Sequence, residues 1–350
     1  METLYAFLVG LALSLVLTPG TRWFAKRVNA LCHPTSRSVH RVPVPYLGGL
    51  AIYAASILGM LVSPYYDRGG FRAVLVGGFV ILVVGLIDDL WVLKPWQKLL
   101  GQVLSAVVVV SLGASISFVT DPFSGTVRLL GTIAIPLTIL WVVSFENLIN
   151  LSDGLDGLAA GVGLITALVM AFASVKAGRF AISPMAAALA GSLLGFLPFN
   201  FHPASIFMGD AGAMYIGLAL AVLSVQGLVK SAVVMSVLAP ILTLMVPIFD
   251  AAFAIVRRRL SGQFFAKADQ DHLHHRLLEL GMGQRQAVVA IYLVSLAFGV
   301  LGLVSAFAPV SRGGPIAGLA VLAVLGMAHK AGLLTITVRK DHKRQVHRGN

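Results

Sequence analysis

Charged residues are scarce in this chain of 350 residues, because Asp, Glu, Lys and Arg together make up only 11% of it. Soluble globular domains carry about 25% charged residues, so the deficit excludes an ordinary soluble domain. Cysteine is almost absent: Cys32 stands alone, which excludes an intrachain disulfide and leaves the redox compartment undetermined. Long polar segments are also missing, since the longest stretch between apolar runs is 256–286.

Apolar residues dominate instead, at 58% of the chain, with a mean hydropathy of +0.90. Runs of roughly 20 apolar residues are long enough to cross a bilayer. We predict an all-α, polytopic integral membrane bundle of about eleven transmembrane helices, forming a single domain over 1–350. The predicted spans lie near 3–20, 47–63, 71–87, 99–117, 127–145, 157–175, 181–198, 212–229, 231–255, 287–308 and 315–334. Two prolines, Pro240 and Pro247, predict that the ninth span is kinked or broken.

The distribution of Lys and Arg predicts the orientation in the membrane, because cytoplasmic connections carry the excess of basic residues. One set of connections contains 19 of the 26 basic residues: 21–46, 88–98, 146–156, 199–211, 256–286 and the tail from Lys330, including the basic stretch 335–350. We therefore expect a bacterial inner-membrane protein with its N-terminus outside and its C-terminus in the cytoplasm. The net charge of +12 does not indicate nucleic acid as a partner, because the basic residues bracket the spans.

Acidic residues collect at the ends of the predicted spans on the cytoplasmic side. An Asp at the centre of a membrane helix costs about 2.5–3.5 kcal/mol on insertion scales, so acids mark polar cavities or boundaries. Asp88 and Asp89 end the third run in GLIDDL, and Asp210 follows the seventh in FMGDAG. Separate connections thus bring carboxylates or imidazoles to one membrane face, as a composite active site requires. These connections are the predicted active-site loops.

The stretch NLINLSDGLDGLAAG contains Asn147, Asn150, Asp153 and Asp156 at three-residue spacing. On a helical turn these side chains would project from a similar face. They offer oxygen ligands for Mg²⁺ and hydrogen-bonding groups for a sugar or a nucleobase. The alternative is a loop rich in turn-forming and capping residues.

The remaining motifs also have two interpretations each. The adjacent Asp88 and Asp89 either hold a divalent cation or accept a proton, or are merely interfacial charges. Asp210, flanked by glycines at the start of a helix, is either a metal ligand beside an anion site or an N-cap. The segment DQDHLHHRLLELG lacks the partners of a zinc site, so it either grips a diphosphate or is a solvated loop. Its candidate residues are His272, His274, His275 and Arg276.

The motifs GLIDDL, NLINLSDGLDGLAAG, FNFHPASIFMGDAGAMYIG and DHLHHRLLELG, in this order, resemble the polyprenyl-phosphate N-acetylhexosamine-1-phosphate transferases. The HLHH form is similar to the WecA and TagO branch. The resemblance implies transfer of a sugar 1-phosphate from a UDP-amino sugar to an undecaprenyl-type phosphate, with release of UMP, as the first membrane step of a cell-envelope polysaccharide pathway. UDP-N-acetylglucosamine is the expected donor, and other UDP-amino sugars are the alternatives. A homodimer is expected only because relatives dimerise.

The same resemblance implies roles for individual residues. Mg²⁺, or Mn²⁺ in its place, is expected on Asn150 and Asp210. Asp88 corresponds to the proposed base or activating acid, with Asp89 beside it, and the rival route passes through an aspartyl-phosphate. The positions expected near the nucleotide or the sugar-diphosphate are Asp153, Asp156, Phe207, the three histidines, Arg276 and the recurrent basic residue Lys98.

One early segment, LCHPTSRSVHRVPVPYLGG, departs from the family pattern. Cys32 stands where the family has Asp, and Ser38 stands where it has Lys, while Arg37, His40 and Arg41 offer compensating positive charge. The contacts that the resemblance implies for this loop are therefore not carried over to this chain. Two alternatives of other classes are a secondary transporter, whose site would lie near the bilayer midplane, and a catalytically inactive scaffold.

Overall fold

A computed structural model of the chain describes residues 1–33, 42–64, 70–120, 126–227, 240–260 and 273–307, together with 318, 322 and 326. The helices in these ranges are α1 (Glu2–Arg27), α2 (Gly48–Met60), α3 (Gly78–Trp91), α4 (Pro95–Ser111), α5 (Ala134–Ser152), α6 (Leu158–Lys176), α7 (Ile182–Asn200), α8 (Gly209–Gln226), α9 (Met245–Leu260), α10 (Leu273–Glu279) and α11 (Gln284–Phe307). Two short antiparallel pairs of strands accompany them: β1 (Leu31–Cys32) with β2 (Val44–Pro45), and β3 (Phe118–Thr120) with β4 (Val127–Leu129).

Seven helical segments within the described ranges are long and apolar enough to cross a membrane. They are α1, α5 to α8 and α11, plus α3 lengthened by the π-helical turn Ala73–Gly77; a 3₁₀ turn, Gly131–Ile133, precedes α5. The prediction of a helical polytopic membrane protein is therefore confirmed. The count of eleven spans stays a prediction, because nearly all of the eleventh run, 315–334, lies outside the described residues.

Several predicted boundaries were wrong by a few residues. The fifth span, predicted near 127–145, begins later because Val127–Leu129 pairs as a strand with Phe118–Thr120. The helix then continues to Ser152, through half of the predicted loop 146–156. Likewise α1 continues to Arg27, although 21–46 was predicted as a connection. In the predicted ninth span, the helix breaks at Leu244, between the two prolines, so the expected break is confirmed.

Helix α8 lies at the centre of the bundle, with 83% of its residues buried, and packs against α2, α3 and α5. Small residues make these contacts close. A Cβ at Gly85 of α3 would overlap the backbone of Ala211, and a Cβ at Gly217 would lie 2.5 Å from the carbonyl oxygen of Phe145 in α5. Glycine and alanine allow membrane helices to approach until their backbones touch. This packing places the first turn of α8 beside the last turns of α3 and α5.

Candidate active site

Acidic and amide side chains from three helices converge on the ammonium group of Lys98. Lys98 lies in the first turn of α4 and donates to Asp210 Oδ2 at 2.6 Å and to Asn150 Oδ1 at 3.2 Å. Its Nζ also lies 2.9 Å from Asp88 Oδ2. Asn150 Nδ2 in turn donates to Asp210 Oδ1 at 2.6 Å. The two carboxylates, the amide and the ammonium therefore form one connected group, which we call the acid cluster.

The two adjacent acids of GLIDDL have different environments. Asp88 belongs to the acid cluster, is only 8% exposed, and accepts the backbone N–H of Leu93 on its second oxygen at 2.7 Å. Asp89 instead accepts the backbone N–H groups of Asp210 at 2.8 Å and Ala211 at 3.3 Å, so it caps the first turn of α8. An acid at this helix end interacts favourably with the helix dipole. Asp89, predicted as catalytic, holds the helix that presents Asp210.

The four polar side chains of NLINLSDGLDG were predicted to project from one face of a helix, and only the first two of them lie on the helix. Asn147 lies one turn below Asn150 on α5, where its Nδ2 donates to Gln102 Oε1 at 3.0 Å and to the Val143 carbonyl at 2.8 Å. It therefore faces α4, as Asn150 does one turn further on, but it bonds to Gln102 and not to Lys98. The helix ends at Ser152, so Asp153 and Asp156 follow in a turn instead of continuing the helical face.

Asp153 is the C-cap residue of α5, and its backbone N–H donates to the Asn150 carbonyl at 3.2 Å. Burial, followed by the negative charges of Asp210, Asp89 and Asp156, raises the pKa of Asp153 to about 8. A carboxyl group with this pKa is sensitive to any cation brought to the acid cluster. Asp153 is thus electrostatically part of the site, although it is not directly bonded to it.

Asp156 connects two loops. Its Oδ2 lies 2.8 Å from His202 Nδ1 and accepts the backbone N–H of Ala204 at 3.0 Å. Arg285, at the start of α11, donates to the His202 carbonyl at 2.8 Å. Asp156 therefore holds the turn after α5 against the loop that leads into α8. Sequence reasoning missed His202, although FNFHPASIFMGDAG places it just after α7, eight residues before Asp210.

The early segment joins the site through its backbone. Phe207 donates its N–H to the Pro45 carbonyl at 2.8 Å and accepts the N–H of Gly48 at 3.0 Å. Burial and the nearby charge of Asp89 raise the pKa of the Cys32 thiol, so the β1–β2 pair lies next to the acids of α3. Residues 34–41, which include Arg37, Ser38, His40 and Arg41, lie outside the described residues.

The histidine segment is described in part. His272 lies outside the described residues; His274 and His275 belong to α10, but their side chains are not described. Arg276 is half-buried in the same helix. Asp250 of α9 accepts the backbone N–H of Leu273 at 2.7 Å and so fixes the start of α10. Binding of a diphosphate by these residues remains a prediction.

A second residue missed from the sequence is Glu146, which is fully buried in α5. Its Oε1 accepts a hydrogen bond from Ser105 of α4 at 2.7 Å. This contact and the one between Asn147 and Gln102 join α4 to α5, which keeps Lys98 above Asn150. The available signal was an acid directly after the apolar run 127–145, one residue before NLINLSDGLDG.

Comparisons with known proteins identify the family of the chain. Residues 71–228 match the model of glycosyl transferase family 4. A Bacillus subtilis (strain 168) protein, named probable undecaprenyl-phosphate N-acetylglucosaminyl 1-phosphate transferase, is 41% identical over 85% of this chain and 84% of its own length. The chain belongs to this family.

Two other relatives indicate which branch of the family the chain resembles most. A Mycobacterium leprae protein, named decaprenyl-phosphate N-acetylglucosaminephosphotransferase, is 40% identical over 89% of this chain and 85% of its own length. A phospho-N-acetylmuramoyl-pentapeptide-transferase of Thermoanaerobacter sp. (strain X514) is 33% identical over 85% of this chain and 95% of its own length. The higher identity to the first two agrees with the predicted WecA and TagO branch.

The acid cluster of this family 4 glycosyl transferase fits a divalent cation by its donor chemistry. Asp88, Asn150 and Asp210 present oxygen atoms, the ligands that Mg²⁺ prefers, and these oxygens already surround a cationic group. Within the described ranges, no three Asp, Glu, His or Cys side chains gather as a metal cluster. A metal here would use the carboxylate of Asp210 and the amide oxygen of Asn150, with the rest of its shell from substrate and water.

Proposed function

We propose that the protein transfers N-acetylglucosamine 1-phosphate from UDP-N-acetylglucosamine to a polyprenyl phosphate and releases UMP. The observation that carries the proposal is the convergence of Asp88, Asn150 and Asp210 on one cationic point at the end of a membrane bundle. The names of the Bacillus and Mycobacterium relatives support the lipid phosphate and the sugar. A membrane enzyme suits this reaction, because the lipid tail stays in the bilayer while its phosphate reaches the site.

The chemistry requires two anions to meet. An oxygen of the lipid phosphate bonds to the phosphorus attached to the sugar, the bond from that phosphorus to the bridging oxygen breaks, and UMP leaves with the bridging oxygen and its electron pair. A bound Mg²⁺ supplies charge neutralisation on the diphosphate. Asn150 and Asp210 would hold this ion, while Lys98 adds a positive charge from α4.

Asp88 is proposed to orient the attacking phosphate electrostatically. Both of its oxygens have partners, the N–H of Leu93 and the ammonium of Lys98, so the carboxylate is held in one position. A phosphate is largely ionised at neutral pH, so a general base contributes less here than it does for an alcohol. Direct in-line attack is therefore favoured over an aspartyl-phosphate intermediate.

The test is UMP release by the purified protein in detergent, with polyprenyl phosphate, Mg²⁺ and a panel of UDP-sugars. We expect the highest turnover with UDP-N-acetylglucosamine and none after Asp210→Asn. Glu2→Gln is the matched control, because it removes one negative charge at the first residue of α1, outside the acid cluster. This variant should keep full activity. No UMP from any UDP-amino sugar, or full turnover by Asp210→Asn, would contradict the proposal.

A further inference from the structure

Lys98 occupies the centre of the acid cluster. Its ammonium lies 2.6 Å from Asp210 Oδ2, 2.9 Å from Asp88 Oδ2 and 3.2 Å from Asn150 Oδ1. The side chain of Lys98 is only 18% exposed. Asn150 and Asp210, which would hold a divalent ion, are therefore two of the three side chains that hold Lys98.

A divalent ion and this ammonium would compete for the oxygens of Asn150 and Asp210. Mg²⁺ binds oxygen at about 2.0–2.1 Å and tolerates little distortion. An ammonium within hydrogen-bond distance of the same atoms would lie only a few ångströms from the ion, where like charges repel strongly. Binding of the ion thus requires that Lys98 move away.

The start of α4 allows this movement without a change of the backbone. The backbone N–H of Lys94 donates to Gln97 Oε1 at 2.9 Å, and Pro95 follows as the first helical residue, so the helix end is fixed. The lysine side chain has a flexible four-carbon stem. Movement is therefore confined to the side chain of Lys98.

We propose that Lys98 is an exchangeable internal cation, which balances the acid cluster until a divalent ion displaces it and then pairs with the phosphates of the substrate. The inference rests on the proposed function, because it requires a divalent ion and an anionic substrate at this site. It assigns Lys98 two alternating partners, the acids and the phosphates. Metal binding then prepares the site for the anion, since it releases a cation that the anion can use.

The experiment measures Mn²⁺ binding to the full-length protein in detergent by electron paramagnetic resonance, without nucleotide or lipid. Lys98→Met removes the competing charge and keeps a chain of similar length. We expect the dissociation constant for Mn²⁺ to fall by at least about tenfold. Lys94→Met is the matched control, because Lys94 is exposed and its loss removes the same charge four residues away. Its dissociation constant should stay within about twofold of the unmodified protein.

Two outcomes separate the inference from the metal role in the proposed function. An unchanged or weaker affinity in Lys98→Met would overturn the inference alone, because the metal site would still exist. Absence of Mn²⁺ binding by every protein would overturn both the inference and the metal role. Lys98→Gln provides a second measurement if Lys98→Met does not fold, and we expect the same direction of change.

Discussion

The backbone N–H of Asp210 donates a hydrogen bond to the carboxylate of Asp89 at 2.8 Å. Asp89 therefore fixes the helix turn from which the Asp210 side chain enters the acid cluster. Its neighbour Asp88 contacts Lys98 instead. Two adjacent acids of the same motif thus differ in their tasks: Asp89 positions a helix, and Asp88 belongs to the group that would meet the substrate.

The first prediction separates these tasks. Asp89→Ala removes both acceptors of the first turn of α8, so we expect the protein to lose about 1–2 kcal/mol of stability. Asp89→Asn keeps one acceptor oxygen and should lose less. Asp88→Asn should abolish UMP release and change the melting temperature little. Thermal unfolding in detergent, measured beside activity, checks the prediction; equal stability of the Asp88 and Asp89 variants would contradict it.

The second prediction concerns the contact between α3 and α8. In Gly85→Ala the new Cβ would overlap the backbone of Ala211, which cannot move without moving α8. We expect a loss of about 1–3 kcal/mol from overpacking, and lower turnover because Asp88 moves relative to Asp210. Gly20→Ala in α1 is the control, because a Cβ there meets nothing within 4 Å. Its stability should be unchanged or higher, as measured by thermal unfolding.

The third prediction concerns pH. The pKa of Asp153 is about 8 in the folded protein and about 3.9 in an unfolded chain. Between these values the folded state keeps a proton that the unfolded state releases, so stability is highest at low pH and falls as pH rises towards 8. With a metal chelator present, the melting temperature should fall from pH 5 to pH 8. Asp153→Asn should weaken this dependence, and an identical dependence in the variant would refute the assignment.

The fourth prediction concerns His202. Nδ1 of His202 lies 2.8 Å from Asp156 Oδ2, which also accepts the N–H of Ala204 at 3.0 Å, so the two loops meet at this oxygen. His202→Ala removes the imidazole contact and loosens the turn that carries Asp153 and Asp156. We expect KM for the UDP-sugar to rise about tenfold, the value of one hydrogen bond to a charged group, with kcat nearly unchanged. His202→Asn can donate from its amide and should recover most of the loss; a lower kcat at constant KM would count against a positioning role.

The convergence of the motifs was predictable from the sequence, because the cost of an acid in hydrocarbon confines Asp88, Asp153 and Asp210 to span ends. The alternation of spans then places those ends on one side. The helical spacing of Asn147 and Asn150 was also correct. What the spacing could not show is that Asn147 turns towards Gln102 on a neighbouring helix, because the direction of a side chain depends on packing between helices.

Other features depended on contacts that leave no periodic signal. The pairing of Phe118–Thr120 with Val127–Leu129 was missed because Val127–Leu129 leads directly into an apolar run and was predicted as its start. The sequence shows Lys98 near Asp88, but its position among three acceptors depends on how α4 packs against α5. The contact between Asp156 and His202 joins loops that are 46 residues apart. Contacts between loops that are distant in the sequence depend on the folded structure, so the sequence pattern does not predict them.

The burial of α8 restricts which substitutions could alter the donor specificity of the protein during evolution. Its first turns touch the backbones of α3 and α5 directly, so a larger side chain at Gly85 or Gly217 would separate the helices that carry Asp88 and Asn150. For the proposed reaction, we therefore expect selectivity among amino sugars to arise in the connecting loops, while the packing of the bundle stays constant. Related proteins with different donors should be told apart by their loops, and a compound directed at the acid cluster alone should inhibit them alike.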